Sequence, residues 1–212
     1  MRERDAGRSQ DQDRHERDRQ DRDLPRHEQA RAQDRGRPLD RVRDAAEIRR
    51  RAELSREKER KHSRWGHAFR EHVDATDEQL ARRAAAGVNA RGQQEDSIPD
   101  DATRWQSDAA SVITTDRLWR TPEAQQVRNE IDYRIQAGLP TRHSFTVRAP
   151  LSKVLGPNWR DDVYGRSKSS HGLQATQWRT DSQAVAVFRK QADDGRWHLH
   201  TCYPQAIPYH RP

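Results

Sequence analysis

The chain has 212 residues and a formal net charge of +7, and only 31% of its residues are hydrophobic. That length allows one domain, or one domain with an appendage, and the single cysteine, Cys202, rules out an intramolecular disulfide, so the fold stands on its core alone. The opening MRERDAGRSQ has no apolar h-region and no apolar run approaches the ~20 residues of a membrane span, so neither a secretory signal nor a spanning helix is expected.

The apolar residues are unevenly spread. No Trp, Tyr or Phe precedes Trp65. Residues 1–38 alternate Arg, Asp, Glu and Gln almost without apolar side chains, too few to offset the entropy of ordering, so a disordered charged segment is expected there. Residues 39–62 hold good helix formers but only a thin stripe, Leu39, Val42, Ala46 and Leu54, which predicts an exposed charged helix or linker. A packed domain is expected over 63–212.

Within that domain, DATDEQLARRAAAG offers Thr76 as N-cap, Gln79 three residues on and Gly87 past the end, the marks of a capped helix. Residues 88–108 read as a polar excursion. TPEAQQVRNEIDYRIQAG is the clearest helix: Thr121 caps it, Pro122 opens it, Gly138 stops it, and Ala124, Val127, Ile131 and Ile135 form its stripe. The period then shifts toward two. HSFTVRAPL alternates around Phe145 and Val147, 156–180 reads as a long loop or irregular strand, and Gln183–Lys190 with Arg196–Tyr203 forms a hairpin turning at Asp193, Asp194 and Gly195. Helices followed by antiparallel strands predict an α+β domain.

Two places could carry chemistry. Strict alternation in RWHLHTCYP sets Trp197, Leu199, Thr201 and Tyr203 on one strand face and His198, His200 and Cys202 on the other. Thr and Tyr are favoured strand residues, so that pair alone defines no site. His198 and His200 have no second Cys and no nearby His-plus-carboxylate pattern beside them, so no metal is expected. The other place is GHAFREHVDATDEQLARRAAAG, where His67 and His72 precede a helix bearing Arg82 and Arg83. Imidazole titrates near operating pH and suits proton transfer; arginine, always charged, suits the growing charge of a phosphorane.

These segments, taken in order with ASVITT and VAVFRK…GRWHLHTCYP, resemble the bacterial RNase A-like toxin domain found at the C-termini of contact-dependent growth inhibition and other polymorphic toxins. The resemblance covers roughly residues 65–205. Members tend to open with a GGHT…HVGKTDAELAARL-like segment, carry an ASTF-like stretch before a helix and close on a YVLTSFP-like strand. It implies small helices on a curved antiparallel sheet without disulfides, and metal-independent RNA cleavage to a 2′,3′-cyclic phosphate. It assigns the acid–base role to His72, with His67 as a supporting or second group, the phosphate clamp to Arg83 (Arg82 the one-residue alternative), and phosphate or proton contacts to Thr201 and Tyr203. Ser111 matches the serine of the ASTF-like stretch. No cofactor is implied. The implied partners are an RNA substrate and a cognate immunity protein, on a monomer delivered without a signal peptide or within a larger protein and acting in a target-cell cytoplasm. The sequence departs from the pattern at GHAF, which lacks the hydroxyl after the first histidine, at HVDA, which replaces Gly-Lys, and at ASVI, which lacks Thr-Phe. The other readings are a non-catalytic RNA- or protein-binding module, and an interaction tail in the charged N-terminal region.

Overall fold

The computed structural model describes residues 45–62, 66–192 and 194–207. The charged segment 1–38, Leu39 and Val42 of the thin stripe, Trp65 and Asp193 lie outside the described residues. The elements run α1 (Ala45–Lys61), α2 (Ala68–His72), α3 (Asp77–Ala86), β1 (Asp101–Trp105), α4 (Asp108–Trp119), α5 (Pro122–Gln136), β2 (Ser144–Pro150), α6 (Leu151–Leu155), a 3-10 turn (Trp159–Asp162), β3 (Val163–Ser169), β4 (Gly172–Ala175), β5 (Gln183–Lys190) and β6 (Trp197–Gln205). The fold is α+β, and the strands form two antiparallel sheets of three, ordered β1-β3-β4 and β2-β5-β6.

The local signals act as their chemistry requires. Thr76 and Gln79 close a reciprocal capping box on α3, and Gly87 ends the helix at φ 68°, a conformation that disfavours a Cβ. On α5 the Thr121 hydroxyl accepts from the Ala124 amide, Pro122 occupies the first turn, and Ala124 and Ile131 are buried.

Three regions differ from the sequence reading. The polar excursion contains β1, and α4 follows directly on Ser107, whose hydroxyl accepts from the Ala110 amide. The segment 156–180 contains the β3–β4 hairpin, paired through Arg166–Ala175 to Ser169–Gly172. Helix α1 is no bare linker: Ala52 is fully buried, and the buried Glu59 carboxylate accepts from the Phe69 amide at 2.8 Å and the Arg70 amide at 3.1 Å. Those bonds serve the first turn of α2, where His67, at the N-cap position, makes no side-chain cap. A carboxylate at a helix N-terminus answers both its open N–H groups and its dipole. The stripe missed this because the buried positions are an alanine and a charged residue.

The main core lies between α4, α5 and the β2-β5-β6 sheet. Phe145 and Phe188 sit 5.4 Å apart, with Trp119 4.8 Å from Phe188, and Leu118 and Leu151 are fully buried beside them. A fully buried side chain of this class contributes about 1.5–3 kcal/mol.

The edge strands β1 and β6 meet without forming a ladder. The outward carbonyls of β6 are instead taken one by one: His200 by the His67 amide at 2.9 Å, Cys202 by the Trp105 indole at 3.0 Å, Pro204 by the Thr103 hydroxyl. The edge is thereby satisfied by side chains and one loop amide rather than by another strand. That seam is where the polar cleft opens.

Candidate active site

A cleft of about 420 Å³ runs along the seam, and its walls include His67, His72, Arg83, Thr201 and Tyr203. Three separate segments thus bring together the five residues to which the resemblance assigns catalytic roles. Arg82, the one-residue alternative, is exposed and lies off the cleft, and Ser111 is fully buried in α4, also away from it.

His72 ends α2 and is nearly sequestered, 4% exposed. Its ring stacks on Tyr203, centroids 5.1 Å apart and planes 29° from parallel. Its Nδ1 lies 3.1 Å from the Thr103 carbonyl oxygen. A carbonyl only accepts, so Nδ1 carries the proton and Nε2 keeps the lone pair. Burial, then the Arg83 charge, holds the His72 pKa well below its ordinary value despite that hydrogen bond, so the ring is a neutral base at pH 7.

His67 lies 5.9 Å from His72 and 5.0 Å from His200, ring centre to ring centre. Burial, then the neighbouring His200 and Arg83, lowers its pKa to about 4. Gly66 fixes the approach: a Cβ there would stand 2.7 Å from the His200 carbonyl oxygen and 2.8 Å from that of Leu199, so only glycine lets the backbone lie this close to β6.

Arg83 projects from the last turn of α3. Its Nε bonds a Glu95 carboxylate oxygen at 3.0 Å and its Nη2 the other at 2.8 Å. The loop after α3 folds back, with the Glu95 amide donating to the Gly87 carbonyl at 2.8 Å, and so brings this carboxylate to the guanidinium. A bidentate pair of this kind fixes the plane of the fork and leaves Nη1 toward another acceptor. Glu95 carried no signal in the sequence beyond lying in the polar excursion.

Strict alternation does not hold along β6. Val187 pairs with Thr201 but Phe188 pairs with Leu199, so His200 is the extra residue of a β-bulge. Trp197 and Leu199 therefore pack with the main core together with Cys202, while Thr201 and Tyr203 line the cleft. This corrects the face assignment drawn from period two and brings His200 beside His67. Thr201 is 6% exposed, and its hydroxyl has no hydrogen-bond partner among the described residues. Burial raises the Tyr203 pKa, which keeps its phenol a proton donor. Cys202 is fully buried, its thiol pushed up to about 12 by burial, and so unsuited to nucleophilic attack. Among the described residues no group of three or more His, Cys, Asp or Glu is arranged to hold a metal ion, and no helix is long and apolar enough to cross a membrane.

Comparisons of the chain with models of known families, with curated proteins and with solved structures found no match.

Proposed function

We propose that this protein is a metal-independent endoribonuclease of the RNase A-like toxin type, cleaving RNA by transphosphorylation. One observation carries the reading: two imidazoles, a guanidinium, a partnerless hydroxyl and a phenol share one cleft. His72 Nε2 takes the proton from a ribose 2′-OH, and the 2′-oxygen bonds to phosphorus. Arg83, oriented by Glu95, and the Thr201 and Tyr203 hydroxyls meet the charge growing on the phosphoryl oxygens. The bond from phosphorus to the 5′-oxygen breaks, and His67 supplies that oxygen's proton. The phosphate's own negative charge raises the His67 proton affinity from its low resting value, which is how one cleft holds a base and an acid together. The products are a 2′,3′-cyclic phosphate and a 5′-hydroxyl.

In this reading the chain acts in interbacterial competition. It reaches a target-cell cytoplasm by a route without a signal peptide or within a larger delivery protein, and a cognate immunity protein covers the cleft. A second reading, a non-catalytic RNA- or protein-binding module, draws on the Arg83–Glu95 pair, which already occupies one edge of the clamp. Purified parent and His72→Ala protein incubated with total RNA in EDTA separate the two. Cleavage by the parent that survives EDTA and vanishes in the variant supports the ribonuclease. No cleavage by either, with RNA retained on a gel, supports the binding module.

A further inference from the structure

The cleft is graded in charge along its length. On β6 the residues Thr201, Tyr203 and Gln205 succeed one another along its wall, followed by Ile207. Strand β1 runs antiparallel beside them: the Trp105 indole meets the Cys202 carbonyl and the Thr103 hydroxyl meets that of Pro204. Two residues further on, Asp101 comes level with residue 206. His67, whose amide meets the His200 carbonyl, therefore lies at the Thr201 end, His72 beside Tyr203 and Thr103 in the middle, and Asp100 and Asp101 at the far end. Four residues of strand separate Thr201 from Gln205, about 13 Å.

Carboxylates repel a phosphate, so this end of the cleft is not an extension of the clamp. It is built to accept hydrogen bonds. The Ser167 hydroxyl donates to Asp101 Oδ1 and lies 2.8 Å from the Thr176 hydroxyl, which fixes the carboxylate and leaves its Oδ2 without a partner among the described residues. Gln205 Oε1 is buried and likewise has no partner there. Independently of these acceptors, the Thr201 hydroxyl, on a side chain 6% exposed, is partnerless and lines the same cleft. Such buried polar groups are costly unless something binds them. Pro99 and Ile207 add apolar surface suited to the face of a ring.

Of the four RNA bases, guanine alone offers two adjacent donors on its pairing edge, N1–H and the exocyclic amine. Uracil offers one donor, and adenine and cytosine set an amine beside an acceptor, which a carboxylate would repel. We propose that the Asp101 end of the cleft is a guanine-reading subsite: the Asp101 carboxylate accepts from N1–H and the exocyclic amine, Gln205 Oε1 accepts the second amine proton, and the ring lies against Pro99 and Ile207. The proposal rests on the reading of this cleft as an RNA site.

The test is calorimetric titration of the full chain, in EDTA, with the 3′-monophosphates of guanosine, inosine, adenosine, cytidine and uridine. Guanosine binds about tenfold or more tightly than adenosine, cytidine or uridine, since a bidentate pair discriminates by that order. Inosine, which keeps N1–H but lacks the amine, falls between. Asp101→Asn erases the guanosine preference without lowering the affinity for the other nucleotides. Equal affinities, or a preference unchanged in a folded Asp101→Asn variant, overturn the subsite. If that variant does not fold, the parent's guanosine-to-inosine ratio decides, and a ratio near one overturns it. A guanosine preference without RNA cleavage keeps the subsite and overturns the catalytic reading. Cleavage without nucleotide preference does the reverse, and failure to bind any nucleotide overturns both.

Discussion

Two hollows of similar size lie on either side of one strand. The seam cleft measures about 420 Å³ and the groove beneath α1 about 360 Å³, and β6 lines both. Before the His200 bulge its Trp197 and Leu199 face the groove with Phe69, Trp119 and Phe188; after it Thr201 and Tyr203 face the cleft. Volume does not tell the two apart. The cleft holds two histidines kept neutral by burial, an arginine oriented by Glu95 and a buried hydroxyl with no partner among the described residues, which is costly unless something binds it. The groove is walled largely by aromatic and aliphatic surface continuous with the core.

Substitutions on the two sides of the bulge should therefore separate activity from stability. The largest effect expected is on the cleft side: His72→Ala lowers the rate of RNA cleavage by about 10²–10⁴-fold, the range for loss of a general base, in protein whose circular dichroism stays that of the parent. An equal loss from Leu54→Ala, which removes an exposed side chain from the groove wall, would break the distinction. On the core side, Phe188→Ala costs about 3–5 kcal/mol of stability, read by denaturant unfolding, while the folded fraction keeps its rate per molecule.

The cleft should also make stability depend on pH. The His67 pKa is about 4 in the folded protein and near 6.5 unfolded, so between those values the unfolded chain binds the extra proton. Stability is then fully present above pH 6.5 and is lost as pH falls toward 4, by on the order of 3 kcal/mol. His72, lowered for the same reason, adds in the same direction. His67→Gln flattens the profile, whereas Phe188→Ala lowers it without changing its slope. A profile equally steep in parent and His67→Gln would show that the imidazole is not held neutral by burial.

The smallest effect expected lies where α1 joins the two regions. Glu59→Ala leaves the Phe69 and Arg70 amides without their acceptor and costs about 1–3 kcal/mol. Because α2 carries His72, cleavage declines with it, while Glu53→Ala, on the exposed side of α1, changes neither.

How far the sequence reached follows the same division. Caps, stops and stripes are local chemistry, and α3, α5, β5 and the α+β class were legible because Thr76, Thr121, Gly87 and the Ile131 face act within a few residues of where they stand. Helix α4 was hidden because its buried positions include Ser111, Thr114 and Asp116, which blur any apolar stripe. Strand β1 has only five residues, Asp101 and Arg104 among them, and its partner β3 lies about 60 residues away along the chain, so tertiary pairing decides it. The five candidate side chains could be named from ordered motifs. Glu95, the bulge at His200 and the acidic end at Asp101 could not, because each depends on a loop or register set by long-range contacts.

The most direct measurement of the central claim uses an RNA oligonucleotide with a single cleavage position, offered in EDTA beside the same oligonucleotide carrying a 2′-deoxy sugar there. The all-RNA strand is expected to be cut to a 2′,3′-cyclic phosphate and a 5′-hydroxyl end, while the 2′-deoxy strand stays intact at that position. Cleavage of the 2′-deoxy strand, or ends bearing a 5′-phosphate, would contradict it.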